Sequence, residues 1–387
     1  MKNNIKKTAV AENGMNSAEP VDMLLYWIGL DQGDKVSRYC ILNEFSKVVE
    51  RGSVGTRKED LKRKFASYAG SVIAIEVGTH SPWISRLLQQ MGLDVVIANP
   101  RNVKLITQSR KKSDDKDAED LARLVKADRK LLSPVVHRSE QAQKDLLVIR
   151  ARAVAVEART KVINSLHGLA KSVGMRLAVS DADVRSVEQV EGWPEEYAEV
   201  LKPLLTLTSA LTLTIKTYDE AIEKNAEEKY PEIKGLVQIF GVGPLTASAF
   251  VLTLDDASKF KTSRQVGPYL GMTPARHQSS ESNPQMGISR EGDIYMRGLL
   301  VQCAQLIMGR RGPDCELKRF GLNIAGIALA DAATKRKDRQ SKKKMKIAVV
   351  AVARKLAVLM HRLWVSGEKY DPFYEANRKK KASQVAA

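Results

Sequence analysis

The sequence predicts a mixed α/β domain followed by a mostly α-helical remainder, and three observations carry that class. Three short β-type runs lie close together between residues 24 and 51. Two uninterrupted apolar runs, at 71–76 and 94–98, alternate with helical patterns. From residue 139 onward, apolar positions recur at helical spacing with few breakers.

Residues 1–21 are polar and read as a flexible arm without a signal peptide. The β-type runs end at Asp31, Asn43 and Arg51, separated by Gln32-Gly33-Asp34 and Glu44-Phe45-Ser46, which is the pattern of an antiparallel meander. A helix is expected over about 58–68, a buried strand over 71–76, a helix over 81–91 entered by Pro82, and a second buried strand over 94–98. With a further helix starting near Asp114, the order β-β-β-α-β-α-β-α describes a sheet covered by helices. Residues 139–173 read as a long helix or helical hairpin, and 187–228 as helix broken at Pro194 and Pro203. This middle section is a candidate for self-pairing. A third unit spans 235–310, with loop chemistry at 278–287 and a helix over about 295–308. A basic cluster at 335–346, a short apolar helix at 347–364 and a basic run at 378–381 follow. The domain reading is therefore 22–135, 136–230, 231–366 and a tail at 367–387.

Charge narrows the function. The 387 residues hold 63 Lys+Arg against 45 Asp+Glu, a formal net charge of +18. A positive field of that size points to nucleic acid first and an anionic membrane surface second. Three scattered cysteines, Cys40, Cys303 and Cys315, exclude a disulfide framework or zinc cluster and fit a reducing cytoplasm. The uncharged stretch 235–254 is long enough to span a bilayer, but Gly241, Gly243 and Pro244 interrupt it.

Four acids carry the chemistry. Asp31 and Glu76 each close an apolar strand, where a carboxylate is a poor β former. Asp114 and Asp117 lie three apart, on one face of a helix that continues through Leu121. Acids in a first helical turn also complement the helix dipole, so this pair alone supports either reading. Four gathered carboxylates select hard cations, Mg²⁺ or Mn²⁺, and two such ions about 4 Å apart are the usual device for phosphodiester displacement. Gly241-Val242-Gly243-Pro244 has the form of a helix-hairpin-helix turn whose amides approach phosphate, or of a plain turn between core helices. The serines of 278–287 by composition simply solvate a loop, and the nearby Arg276, Arg290 and Arg297 are candidate phosphate contacts. So are Arg101, Lys104, Arg110, Lys111 and Lys112 before the acidic turn, and Lys342, Lys343 and Lys344 in the tail.

Taken in order, Ile28-Gly29-Leu30-Asp31, Ala74-Ile75-Glu76, Ser113 to Ala118, Gly241 to Pro244, Tyr269 to Pro274, Gln278-Ser279 and Ile288 to Asp293 with Arg297 resemble the DEDD-type insertion-sequence transposases. These are the serine-containing recombinases guided by a bridge RNA, similar also to the pilin-gene invertase. The resemblance implies an RNase H-like (RuvC-like) domain with Asp31, Glu76, Asp114 and Asp117 as ligands of Mg²⁺ or Mn²⁺. It implies a serine that forms a covalent phosphoserine link with DNA, and by position that serine is Ser279. The family has Gly after this serine where this chain has Ser280. Donor and target DNA, a structured guide RNA and a second copy or more of the chain, as dimer or tetramer, are the implied partners. A Holliday-junction-type endonuclease, with the same acids and water as nucleophile, is the alternative.

Overall fold

The computed structural model describes residues 25–99, 113–177, 190–275, 286–329, 339–374 and 376–378. The chain divides into two compact units, residues 1–137 and 138–387. The arm at 1–21 lies outside the described residues.

The first unit is built on a five-stranded sheet of order β3-β2-β1-β4-β5. Its strands are β1 (Trp27–Asp31), β2 (Val36–Leu42), β3 (Val48–Gly55), β4 (Val72–Glu76) and β5 (Asp94–Ala98). β1, β2 and β3 form the expected antiparallel meander, while β4 pairs parallel to β1 and β5 parallel to β4. Strand alternation sorts the two faces. Ile28, Leu30, Ile73 and Ile75 pack with Leu61 and Phe65 of α1 (Lys58–Phe65) and Ile84 and Leu88 of α2 (Ser81–Gln90). The opposite face presents Cys40, Leu42, Val72, Ala74 and Val96 to α3 (Asp114–Ala127) through Ala118, Leu121, Ala122, Leu124 and Val125. The first helix is shorter than its sequence pattern, ending in a 3-10 turn at Ala66–Tyr68.

α3 lies directly on β1 because position 29 is glycine. A β-carbon there would sit 1.9 Å from the Ala118 carbonyl oxygen and 2.7 Å from the Ala122 amide nitrogen.

The second unit is helical. α4 (Glu140–Ser172) and α5 (Glu195–Lys229) form an antiparallel hairpin, with Arg152 paired to Asp219 midway and Ile163, Leu166, Leu201 and Leu205 packed at the far end. Pro203 does not break α5; it lies inside a continuous helix, so only Pro194 marks a boundary. Asp145 ties the near end, accepting from Gln141 Nε2 (2.8 Å), Asn225 Nδ2 (3.2 Å), Lys229 Nζ (3.1 Å) and Tyr230 Oη (2.8 Å). α5 is the one described helix long and apolar enough to cross a bilayer, yet it opens with Glu195-Glu196 and carries, at Asp219, the half-buried tie to Arg152. The stretch 235–254 instead ends in α6 (Pro244–Leu254), buried from Thr246 to Leu254 in the core formed with α7 (Ile294–Met308), α8 (Glu316–Ala325) and α9 (Arg339–Ser366). α9 is longer than the apolar pattern at 347–364, because its first turns are the lysines of the basic cluster.

Two tests follow from these contacts. Gly29→Val forces α3 off the sheet and is expected to cost about 3 kcal/mol, read as a lower melting temperature with faster amide exchange at Ala118–Val125. Burial raises the Asp145 carboxyl, but the donors from Gln141, Tyr230 and Lys229 outweigh it and hold it below its ordinary 3.8. A carboxyl depressed on folding contributes stability that is present above its unfolded value and lost as pH falls through the folded one. Asp145→Asn is therefore expected to lose about 2 kcal/mol at neutral pH and to show a flatter acid limb in denaturant titrations below pH 3.8.

Candidate active site

The carboxylate edge follows from register. Leu30 pairs with Ile75 in the parallel β1–β4 ladder, so the next residues, Asp31 and Glu76, lie side by side at the strand spacing of about 4.8 Å. Alternation turns both toward the α3 face, because Gly29 and Ala74, two residues earlier, are the ones that meet α3 or its core. The two acids line one open cavity of about 330 Å³ with Gln32, Asp34 and the loop Val77-Gly78-Thr79-His80.

α3 brings its acidic turn to the same end of the sheet. Arg38, which stands opposite Asp31 across β1–β2, forms a 3.6 Å ion pair with Asp115. Further along, Leu124 and Val125 meet Val72 at the start of β4, so α3 runs antiparallel to β1. Ser113 caps the helix by accepting from the Lys116 amide at 3.4 Å. Asp117 is buried, only 6% exposed, on the sheet side of the turn, whereas Asp114 is exposed. Burial pushes the Asp120 carboxyl above its ordinary range; Lys116 opposes this, and Asp117 and Glu119 add to it.

The fold thus brings Asp31 and Glu76 together and turns Asp117 to their side, but it does not draw Asp114 in. Among the described residues, no three carboxylate, histidine or cysteine side chains are gathered closely enough to enclose a metal ion. The donor chemistry still fits a hard divalent cation. Besides the two carboxylates, Gln32 offers a buried Oε1 with no hydrogen-bond partner while its Nε2 donates to the Glu76 carbonyl at 3.4 Å. Sequence reasoning missed Gln32 and His80. Trp83 Nε1 donates to His80 Nδ1 at 3.1 Å, so the neutral ring carries its proton on Nε2, facing Asp34 Oδ1 at 3.3 Å. The signal was faint: Gln32 directly follows one acid-terminated strand, whereas His80 comes four residues after the other.

In the second unit, Ser279, Ser280 and Arg276 lie outside the described residues, as do Arg101, Lys104, Arg110, Lys111 and Lys112. What is described is the base of the serine loop. Pro274 bridges Ile288, Ala275 N donates to Gly287 O at 2.9 Å, and Ser289 N donates to Thr273 O at 2.9 Å. Beneath this ladder two glycines interlock. A β-carbon on Gly271 (φ +65°) would meet Glu291 O at 1.9 Å, and one on Gly292 (φ +77°) would meet Tyr269 O at 2.2 Å. Arg297 is not the surface phosphate contact expected of it. It is 9% exposed and its Nη1 donates to the carbonyls of Leu270 (3.1 Å) and Glu291 (2.6 Å), tying both sides of the clamp. Asp293 caps α7 through the Met296 amide at 2.8 Å and pairs with Arg150 of α4.

Arg290 is exposed in a left-handed conformation (φ +59°), and Lys342, Lys343 and Lys344 are exposed on the first turns of α9. Gly241 holds φ +85° against the Cys303 carbonyl, and Gly243 precedes Pro244 at the start of α6 with open space around it. The latter can admit a close backbone approach.

Residues 28–175 match a family model for transposases of the DEDD, IS110 type, and residues 234–318 match the model of the transposase IS116/IS110/IS902 family. The chain is 25% identical over 319 residues to the transposase for insertion sequence element IS1111A of Coxiella burnetii, covering 79% of this chain and 86% of that protein. It is 26% identical over 325 residues to a probable family 20 transposase of Pseudomonas aeruginosa, with 80% and 94% covered. To the transposase for insertion sequence element IS1328 of Yersinia enterocolitica it is 28% identical over 275 residues, with 67% and 80% covered.

Glu76→Gln removes one of two adjacent negative charges. It is expected to leave the metal-free protein as stable or more so, and to abolish the rise in melting temperature expected of the parent chain when a divalent cation is added. Unfolding of the variant without metal would instead assign Glu76 a structural hydrogen bond.

Proposed function

We propose that this chain, whose two halves match models of DEDD, IS110-type and IS116/IS110/IS902 transposases, is a transposase that cuts and rejoins DNA through a covalent phosphoserine link formed by Ser279. The observation that carries the catalytic half of this reading is the in-register abutment of Asp31 and Glu76 on the sheet face beneath the helix bearing Asp117. The first unit is read as RNase H-like, with Asp31, Glu76, Asp114 and Asp117 as the ligand set for one or two divalent ions. A cation held there would neutralise these acids and stabilise charge developing on the phosphodiester oxygens.

The residues of the chain do the rest. The Ser279 hydroxyl loses its proton and attacks phosphorus; the Ser–O–P bond forms as the bond to the leaving strand breaks, and that strand departs with a hydroxyl end. The hydroxyl of the same or an exchanged strand reverses the step, so the phosphodiester energy is conserved and no nucleotide cofactor is consumed. Asp114 would have to turn in from its exposed position when DNA is bound, a requirement that delays cutting until substrate is in place. The clamp of Gly271, Gly292 and Arg297 supports this reading because it fixes both ends of the segment that carries the serine. Exposed Lys342, Lys343, Lys344 and Arg290 are read as backbone contacts to DNA or to a structured guide RNA, and two duplexes require a dimer or tetramer.

A water-dependent nuclease reaction is the second reading. What favours it is the cavity itself, where carboxylates, the Gln32 amide oxygen and the His80 ring meet.

The two readings give different products. After incubation of DNA with protein and Mg²⁺ and then denaturation, a protease-sensitive protein–DNA adduct is expected, absent in Ser279→Ala and retained in Ser280→Ala. Nicked ends without an adduct would establish the hydrolytic reading. Adduct loss in Ser280→Ala alone would move the nucleophile by one residue.

A further inference from the structure

A cavity of about 520 Å³ in the second unit takes its character from one stripe of α9. Its volume falls in the roughly 300–1,000 Å³ range of small-ligand sites. Arg354, Lys355, Val358, Leu359 and Arg362 line it at successive-turn spacing, with Arg264 entering from a neighbouring turn. Among the described residues no carboxylate pairs with Arg264, Arg354, Lys355 or Arg362. Two acids line the same cavity, but Glu316 Oε1 accepts the Ala376 amide at 2.9 Å. Asp371 accepts the Phe373 amide at 2.9 Å and Asn377 Nδ2 at 2.9 Å. The cavity therefore keeps a cationic lining.

That lining is also planar and apolar. The Arg362 guanidinium stacks 3.8 Å from the Tyr374 ring centroid, with Nε and Nη2 buried and without partners, and Lys355 Nζ lies 4.6 Å from the Phe320 centroid. Cations beside exposed π-faces are the chemistry of a base and its phosphate, whereas a duplex offers only phosphates to such a concavity. Thr273, one residue before the Pro274–Ile288 bridge, forms part of the wall, so the cavity adjoins the base of the serine loop.

We propose that this cavity binds an unpaired nucleotide of a nucleic-acid strand, its base against the Arg362–Tyr374 stack and Phe320 and its phosphate on Arg354 and Lys355. The proposal rests on the transposase reading only for the source of the strand. An unpaired nucleotide held here lies beside the described base of the serine loop.

The test is fluorescence anisotropy of the full chain with a labelled single strand of about eight nucleotides, as DNA and as RNA of one sequence, beside an abasic version and a duplex. Tighter binding of the base-bearing strand is expected, and the DNA and RNA arms identify its source. Arg354→Glu/Lys355→Glu, both exposed, is expected to weaken single-strand binding roughly tenfold at fixed salt. Tyr374→Leu is expected to weaken the base-bearing strand roughly tenfold and leave the abasic one unchanged. Equal binding of duplex and abasic strand, or full affinity in the double charge reversal, overturns the proposal. Ser279→Ala is expected to keep this binding, and a parent chain that binds the strand but forms no adduct overturns the serine reading alone. An adduct with binding indifferent to these substitutions overturns the cavity alone.

Discussion

Between β1 and α3 there is no room for a β-carbon at position 29, and the arrangement of the acids depends on that contact. The Ala118 carbonyl lies 1.9 Å from where the carbon would sit. Helix and strand backbones meet directly, so the helix position is set by main-chain atoms, which have little freedom to adjust. Asp117 precedes Ala118 by one residue and Asp31 follows Gly29 by two. Their placement at one end of the sheet follows from a single close approach, while Glu76 is placed by the ladder to β4.

Much of this was legible in the sequence. Strands closed by acids, and apolar runs whose alternation assigns a face, were enough to pair Asp31 with Glu76, because parallel register leaves them as the next two residues. The periodicity of 139–173 left a long helix or a helical hairpin open, and the structure has the single helix Glu140–Ser172. Pro203 misled because proline disfavours a helix interior only when the lost hydrogen bond and its steric clash are not absorbed by the packing of a long hairpin. Arg297 misled for another reason. A charged residue near serines and arginines reads as a surface contact, and nothing in composition shows that two backbone carbonyls of a glycine turn need a buried donor. His80 and Gln32 were passed over because each is a lone residue in a loop, and only the sheet's topology gathers them.

The serine-loop clamp is built on the same principle as the contact at Gly29. Gly271 and Gly292 let two chain segments approach until the Glu291 and Tyr269 carbonyls occupy the space of a side chain, and Arg297 donates to the Glu291 and Leu270 carbonyls, offsetting the cost of burying those two. A segment tethered this way has ends fixed by main-chain geometry, whatever its interior does. The described motif residues Gly271, Gly292 and Arg297 thus serve the architecture of the loop's base.

Asp293 joins that clamp to something larger. It caps α7 immediately after Gly292 and is held by Arg150, which also stacks on Tyr295 with its Cζ 5.0 Å from the ring centroid. Arg150 sits ten residues into a helix of 33 residues, a rod about 50 Å long. Among the described residues, its remote half is braced by α5 and the apolar tip. Any partner that grips the tip holds the long arm of a lever whose fulcrum is an ion pair beside the loop, so a modest tilt far away would arrive at the clamp as a small, forceful displacement.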